Sequence, residues 1–136
     1  MSTYILGRGD LDVQVVGIID DCIFEIEFGK LQTREVILTN ERKAHIKNYH
    51  PESYALFEKH KTSIFSSPDI ILKDAKNPGT VFMIKNLPDT NLNAIVRLSL
   101  ETDTPGFKNS VMTFYKIRDR NLRKLIAKNK VLYSRL

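Results

Sequence analysis

The segment TVFMIKNLPDTNLNAIVRLSLETDTPGFKNSVMTFYKI (80–117) decides the fold, because it contains three strand-like runs separated by turn residues. The runs are Thr80 to Asn86, Ala94 to Glu101 and Asn109 to Ile117, and they are rich in β-branched and aromatic residues. The linkers between them contain proline, aspartate and threonine, which are typical of turns. Three consecutive strands with short linkers predict an antiparallel meander.

The residues before this segment predict helices and short extended runs. Thr39-Asn40 is a suitable helix start, and a helix from about Glu41 to Tyr49 would end before Pro51. Pro51 itself fits the first turn of a second helix, which would run to about His60. Short apolar runs, which are typical of strands, lie at 36–38 and 70–72.

The two ends of the chain complete the pattern. VQVVGIIDDCIFEIEFG (13–29) reads as two strands broken at Asp20-Asp21, because Phe24, Ile26 and Phe28 alternate with acidic residues. Near the C-terminus, the residues from about Asp119 to Lys130 read as a basic helix. The sequence thus predicts an N-terminal hairpin and a C-terminal basic helix.

Together these elements predict an α+β fold in one domain over 1–136. An N-terminal hairpin (1–30) and helices precede an antiparallel sheet of about four strands. The helices are expected to pack on one face of that sheet, and the basic helix ends the chain.

Composition excludes several classes of protein. No apolar run approaches the roughly 20 residues that a membrane span needs, and the start MSTYILGRGD lacks the features of a signal peptide. A single cysteine, Cys22, cannot support a disulfide framework and indicates a reducing cytoplasm. One cysteine and three histidines argue against structural zinc, and no phosphate-loop or cofactor motif is present. We expect a cytoplasmic protein with no membrane association, no cofactor and no metal.

The net charge of +5 is unevenly distributed. Residues 116–136 carry eight basic side chains against one acid, Asp119, whereas the rest of the chain is slightly acidic. Such a density of cations is typical of a protein that contacts phosphates, although a solvated helix face gives the same pattern.

Alternation along the strands sorts their side chains into two faces. We assign the larger apolar sets to the face that the helices cover, which leaves polar side chains on an open face. One β-bulge near Ser110 would bring that residue onto the open face as well. The polar side chains of the open face are Lys85, Arg97, Ser99, Asn109, Thr113 and Tyr115.

This set of side chains suits the cleavage of RNA without a metal. The ribose 2′-hydroxyl can attack the adjacent phosphate if a base takes its proton, an acid protonates the leaving oxygen and a cation stabilises the added charge. Histidine suits either proton role, because imidazole ordinarily titrates near neutrality. His45 and His50 are five positions apart and do not share one helical face, so we expect only one of them to reach the site.

Four segments resemble the phage-associated nucleases of the Barnase–EndoU–colicin–RelE-like superfamily, often called the BECR fold. They are HIKNYHPESY (45–54), SPDIILKDAKNPGTVFMIKNL (67–87), IVRLSLETD (95–103) and KNSVMTFYKI (108–117). The resemblance covers residues from about Ile37 to Tyr133, so 37–136 is the nuclease-like region. It implies N-terminal helices before a four-stranded antiparallel sheet whose exposed face carries the active site. It also implies metal-independent ribonuclease activity, in many members that of a toxin or effector.

The resemblance also implies which residues act. It carries a catalytic histidine to His45 or His50, a cation to Arg97, and polar groups to Asn109, Ser110 and Thr113. The expected catalytic residues are His45, His50, Arg97, Ser110 and Thr113. The expected RNA-binding residues are Lys85, Asn109, Tyr115 and Lys116.

Three functions stay open at this point. The first is a metal-independent endoribonuclease that leaves a cyclic phosphate, with tRNA as one candidate substrate. The second is a nucleic-acid-binding module without catalysis, which would bind in a salt-dependent way and form no product. The third is a protein-interaction module whose acidic N-terminal hairpin docks a partner such as an inhibitor.

Overall fold

The computed structural model describes residues 13–136. Within them, seven strands form one mixed sheet, and four helices flank the sheet on both sides. The strands are β1 (Val13–Ile18), β2 (Glu35–Thr39), β3 (Ile70–Lys73), β4 (Thr80–Asn86), β5 (Asn91–Arg97), β6 (Asn109–Ile117) and β7 (Lys130–Ser134). The helices are α1 (Asp21–Phe28), α2 (Asn40–Tyr49), α3 (Pro51–Ser66) and α4 (Asp119–Lys128).

The sheet has the order β1-β2-β6-β5-β4-β3-β7. All neighbouring strands are antiparallel except β2 and β6, which run parallel. The prediction of an antiparallel sheet of about four strands is therefore wrong. Local patterns revealed the β4–β5–β6 meander, but β1, β2 and β7 join the sheet through pairings that are distant in sequence. The last of them, β7, begins at Lys130, where the predicted basic helix was expected to end.

Helices cover both faces of the sheet, so the prediction of helices on one face is also wrong. On the α3 face, Phe57 stacks on Phe114 of β6 with ring centroids 3.9 Å apart, and Met83 of β4 belongs to the same core. On the α4 face, Leu122 belongs to a second apolar cluster with Phe82 of β4. No helix among residues 13–136 is both long and apolar enough to cross a membrane.

The predicted N-terminal hairpin is wrong, because its second strand is the helix α1. The side chain of Asp20 accepts a hydrogen bond from the backbone N–H of Cys22 at 3.0 Å and so caps that helix. Phe24 is buried whereas Ile26 is 87% exposed, so the two do not share a face as a strand would require. The apolar residues at 24 and 28 are also spaced for one side of a helix.

The assignment of faces along β4 is reversed. Val81, Met83 and Lys85 lie on the α3 face, and Phe82 and Ile84 lie on the α4 face. Both sets are apolar because helices pack on both sides, and alternation cannot then tell which face is which. Lys85, expected on an open face, instead donates a hydrogen bond to the carbonyl of Ser67 at 2.8 Å.

β6 contains a bulge close to Ser110. Thr113 lies opposite Ile95 and Val111 lies opposite Val96, so Met112 is the extra residue. As a result Ser110 lies on the same face as Thr113, opposite Arg97. The bounds of β4 and β6 match the prediction, whereas β5 is Asn91–Arg97 rather than 94–101.

Glu27 connects α1 to β3 and β7 at the edge of the sheet, and these contacts make the stability of the fold depend on pH. It accepts hydrogen bonds from Lys73 at 2.9 Å and from Lys130 at 2.7 Å, and these bonds lower the pKa of Glu27. A carboxyl whose pKa is lowered by folding stabilises the fold above its unfolded pKa, and this contribution is lost as the pH falls through its folded value.

Replacing this carboxylate should flatten that pH dependence. We expect Glu27→Gln to unfold at a lower urea concentration than the wild type near neutral pH, with the two proteins converging at acidic pH, where Glu27 is protonated in the folded protein as well. Urea unfolding at the two pH values measures this. A gap between the two proteins that persists at low pH would contradict the assignment to the Glu27 charge.

Candidate nucleic-acid site

Three of the nine predicted site residues line one cleft. His50, Tyr115 and Lys116 surround a space of about 400 Å³ together with Tyr49, Pro51, Glu52 and Ser53. The cleft lies at the outer edge of β6, because β2 pairs only with Asn109 and Ser110 and leaves the rest of that edge to the junction of α2 and α3.

The turn between α2 and α3 positions His50. Its backbone N–H donates to the carbonyl of Ile46 at 2.7 Å, which ends α2, and its carbonyl accepts from the N–H of Tyr54 at 3.0 Å, which starts α3. Pro51 takes the first position of α3, where no backbone N–H is needed. The imidazole of His50 is exposed, and its ring centroid lies 6.1 Å from that of Tyr115.

A buried amide holds the hydroxyl of Tyr115. Asn93 lies opposite Tyr115 on β5, is fully buried, and donates from Nδ2 to the tyrosine Oη at 3.2 Å. The other amide atom, Oδ1, has no hydrogen-bond partner among the described residues. Asn93 was missed because the predicted strand began at Ala94. Extending the alternation of Arg97 and Ile95 back by one step would have placed Asn93 on the same face.

Lys116 enters the cleft from the opposite face of β6. Its backbone N–H, at the uncovered strand edge, donates to the hydroxyl of Ser53 at 3.0 Å. Its ammonium pairs with Glu52, and this hydrogen bond lowers the pKa of the Glu52 carboxyl. An exposed pair of this kind contributes little stability, so a phosphate can compete with Glu52 for the ammonium.

Arg97 lies apart from this cleft. It is four residues from Asn93 along β5, which corresponds to about 13 Å at the usual strand rise. Its guanidinium donates to the carbonyl of Leu98 and lies 3.2 Å from Asp103. It also lies directly over Gly79, where a Cβ atom would overlap it, so this position of the guanidinium requires glycine.

Ser110 and Thr113 of β6 lie between the cleft at His50 and the position of Arg97. Thr113 is half-buried on the α4 face, one step along the strand from Tyr115. Ser110 is 4% exposed, and its hydroxyl donates to the carbonyl of Lys108 at 3.4 Å. The predicted open face is therefore largely covered at this end of the sheet.

Asn109, His45 and Lys85 do not line the cleft. Asn109 is fully buried, donates to the carbonyls of Thr33 and Glu35, and accepts from the N–H of Ser99. These three bonds occupy its amide, so the expected contact with RNA does not fit its surroundings. His45 is exposed on α2, where its ring lies tilted against the ring of Tyr49 with centroids 4.6 Å apart.

One group of potential metal ligands occurs in the described part of the chain. Asp20, Asp21 and Cys22 bring one ligand atom each to within 4.8 Å of one another at the start of α1. Helix capping by Asp20 accounts for this arrangement. The negative charge of Asp20 raises the pKa of the Cys22 thiol, which disfavours the thiolate that a metal or an electrophile would need.

Comparisons of the chain with protein-family models, with curated proteins and with solved structures found no match. The geometry of the site is therefore the basis for the function proposed below.

Proposed function

We propose that this protein is a metal-independent endoribonuclease whose reaction centre is the cleft between His50 and Tyr115. One observation carries the proposal: an exposed imidazole, a phenol and an ammonium line the same cleft. These are the groups that the attack of a ribose 2′-hydroxyl on the adjacent phosphate requires. The segments that resemble the BECR nucleases include all three residues.

In the proposed reaction, neutral His50 takes the proton of the 2′-hydroxyl. The 2′-oxygen forms a bond with phosphorus, and the bond from phosphorus to the 5′-oxygen breaks. Tyr115 supplies the proton that the leaving 5′-oxygen requires. The products are a 2′,3′-cyclic phosphate and a 5′-hydroxyl, and Lys116 stabilises the charge that develops on the phosphate oxygens.

The buried amide of Asn93 supports the role of Tyr115. Because Asn93 donates to the phenol oxygen, the proton of the phenol remains free for another acceptor. The same bond stabilises the negative oxygen that remains once the proton has left. Arg97 has a different place in this proposal: it lies about 13 Å from Asn93 along β5 and binds a neighbouring part of the RNA strand.

A second candidate is a nucleic-acid-binding module without catalysis. It is favoured by the separation of Arg97 from His50 and by the pairing of Arg97 with Asp103. A binding surface needs cations and aromatic rings, but no convergence of proton donors and acceptors.

Cleavage in excess EDTA separates the two candidates. We expect the purified wild-type protein to convert tRNA or rRNA to discrete fragments with cyclic-phosphate ends under these conditions, and Tyr115→Phe to be strongly impaired. Gel analysis with end-group mapping measures both. Cleavage that requires added Mg²⁺ would rule out the proposed mechanism. Salt-dependent RNA binding without any product would support the second candidate.

A further inference from the structure

The exposed side of α4 forms a cationic face that the candidate centre does not include. We define it by its four exposed cations, which lie on the side of the helix away from Leu122. Residues four apart on a helix lie one above the other, so 120, 124 and 128 follow one line and 123 lies beside it. The cationic face of α4 consists of Arg120, Arg123, Lys124 and Lys128.

Acidic side chains do not neutralise this face within residues 13–136. The cations that form ion pairs within residues 13–136 all lie outside α4; examples are Lys73, Arg97 and Lys116. The one acid of α4, Asp119, accepts a hydrogen bond from the buried Asn91 at 2.8 Å. Its carboxylate is thereby directed at the sheet and away from the cationic face.

A second cleft connects the proposed reaction centre to α4, the helix that carries the cationic face. This cleft, of about 490 Å³, is lined by Tyr115, Lys116, Ile117, Arg118, Asn121 and Leu125. It shares Tyr115 and Lys116 with the cleft at His50 and reaches α4 at Asn121 and Leu125. Lys124 and Lys128 of the cationic face each follow one of these two residues by three positions, which places them beside the cleft. A strand that leaves the first cleft past Tyr115 therefore meets α4 directly.

We propose that the cationic face of α4 is a phosphate-binding exosite for a single-stranded RNA that extends beyond the reaction centre. The inference rests on the proposed function for the position of the scissile bond, but binding at α4 does not require cleavage. The four cations contact backbone phosphates, so they contribute affinity that is independent of sequence and sensitive to salt. The substrate is thus an RNA of several nucleotides, and a dinucleotide would reach the centre alone.

Binding is measured in the His50→Ala background, so that no product forms. The probe is a fluorescent single-stranded RNA of about twelve nucleotides, followed by anisotropy across a series of salt concentrations. We expect Arg123→Gln/Lys124→Gln to weaken binding about tenfold near 0.15 M salt and to reduce the slope of log K against log salt by about 1.4.

The matched control is Lys59→Gln/Lys61→Gln, which removes the same charge from α3 on the other side of the sheet. We expect the control to change affinity less than twofold, and circular dichroism checks that both variants are folded. Equal losses in the two variants, or none in the α4 variant, would overturn the exosite.

Cleavage with the native His50 separates the exosite from the proposed function. The α4 variant should cleave the longer RNA with a kcat/KM about tenfold lower and a dinucleotide at the wild-type rate. Equal cleavage of the longer RNA would overturn the exosite and leave the nuclease proposal intact. Binding that depends on α4, with no cleavage by the wild type, would support the exosite and refute the nuclease proposal.

Discussion

Replacing His50 by alanine is expected to lower the kcat/KM of RNA cleavage by about 10²- to 10⁴-fold, the usual range for loss of a general base. His50 is the exposed imidazole of the cleft, and its ring centroid lies 6.1 Å from that of Tyr115. Its side chain makes no hydrogen bond within residues 13–136, so the fold should tolerate the change. The measurement is the initial rate on a defined RNA in EDTA, at several pH values.

His45→Ala is the matched control, because His45 is also exposed and lies one turn before Tyr49 on the same helix. We expect this control to cleave RNA within about threefold of the wild type. Arg97→Ala tests the competing location of the centre. If Arg97→Ala lowered kcat more than His50→Ala does, the reaction centre would lie near Arg97, at the other end of β5, and not at His50.

Replacing Asn109 by alanine is expected to destabilise the protein by about 3 kcal/mol. The amide of Asn109 makes three hydrogen bonds to backbone groups, and two of them reach the carbonyls of Thr33 and Glu35. In the third bond, the amide oxygen of Asn109 accepts from the N–H of Ser99, which links the segment after β5 to the start of β6. Removal of the side chain leaves the buried N–H of Ser99 and the two partly buried carbonyls without their partner.

Urea unfolding measures this effect, with the midpoint and the slope fitted separately. Asn48→Ala is the control, since Asn48 is exposed on α2 and alanine is the better helix former. The control should be as stable as the wild type or slightly more stable. If Asn109→Ala kept the wild-type midpoint but bound RNA more weakly, Asn109 would have the RNA-binding role that the sequence predicted.

Much of the local structure could be predicted from the sequence. The bounds of β4 and β6 are confirmed, because turn residues delimit both strands sharply. The start of α2 is confirmed as well: Thr39 caps it by accepting from the N–H of Arg42. Proline at position 51 correctly separated α2 from α3, although α3 extends to Ser66.

The candidate site could be predicted only in part. Histidine before proline and the alternation of β6 identified His50 and Tyr115, because both patterns are local. Lys85 and Asn109 were misplaced, since strands buried on both faces give no signal of which face carries the site. Asn93 became visible only when β5 and β6 were aligned across the sheet.

By itself, the sequence determined the α+β class, the central meander, the two middle helices and the basic C-terminal helix, because each depends on short-range periodicity and on turn or capping residues. Tertiary structure alone decided that residues 13–136 form a sheet of seven strands, that α4 packs on the face opposite α3, and that residues 21–28 form a helix. These features depend on pairing and burial between segments far apart in the chain. Tertiary structure also decided that His50 and Tyr115 share a cleft while Arg97 lies outside it, since strand register sets the distance between side chains.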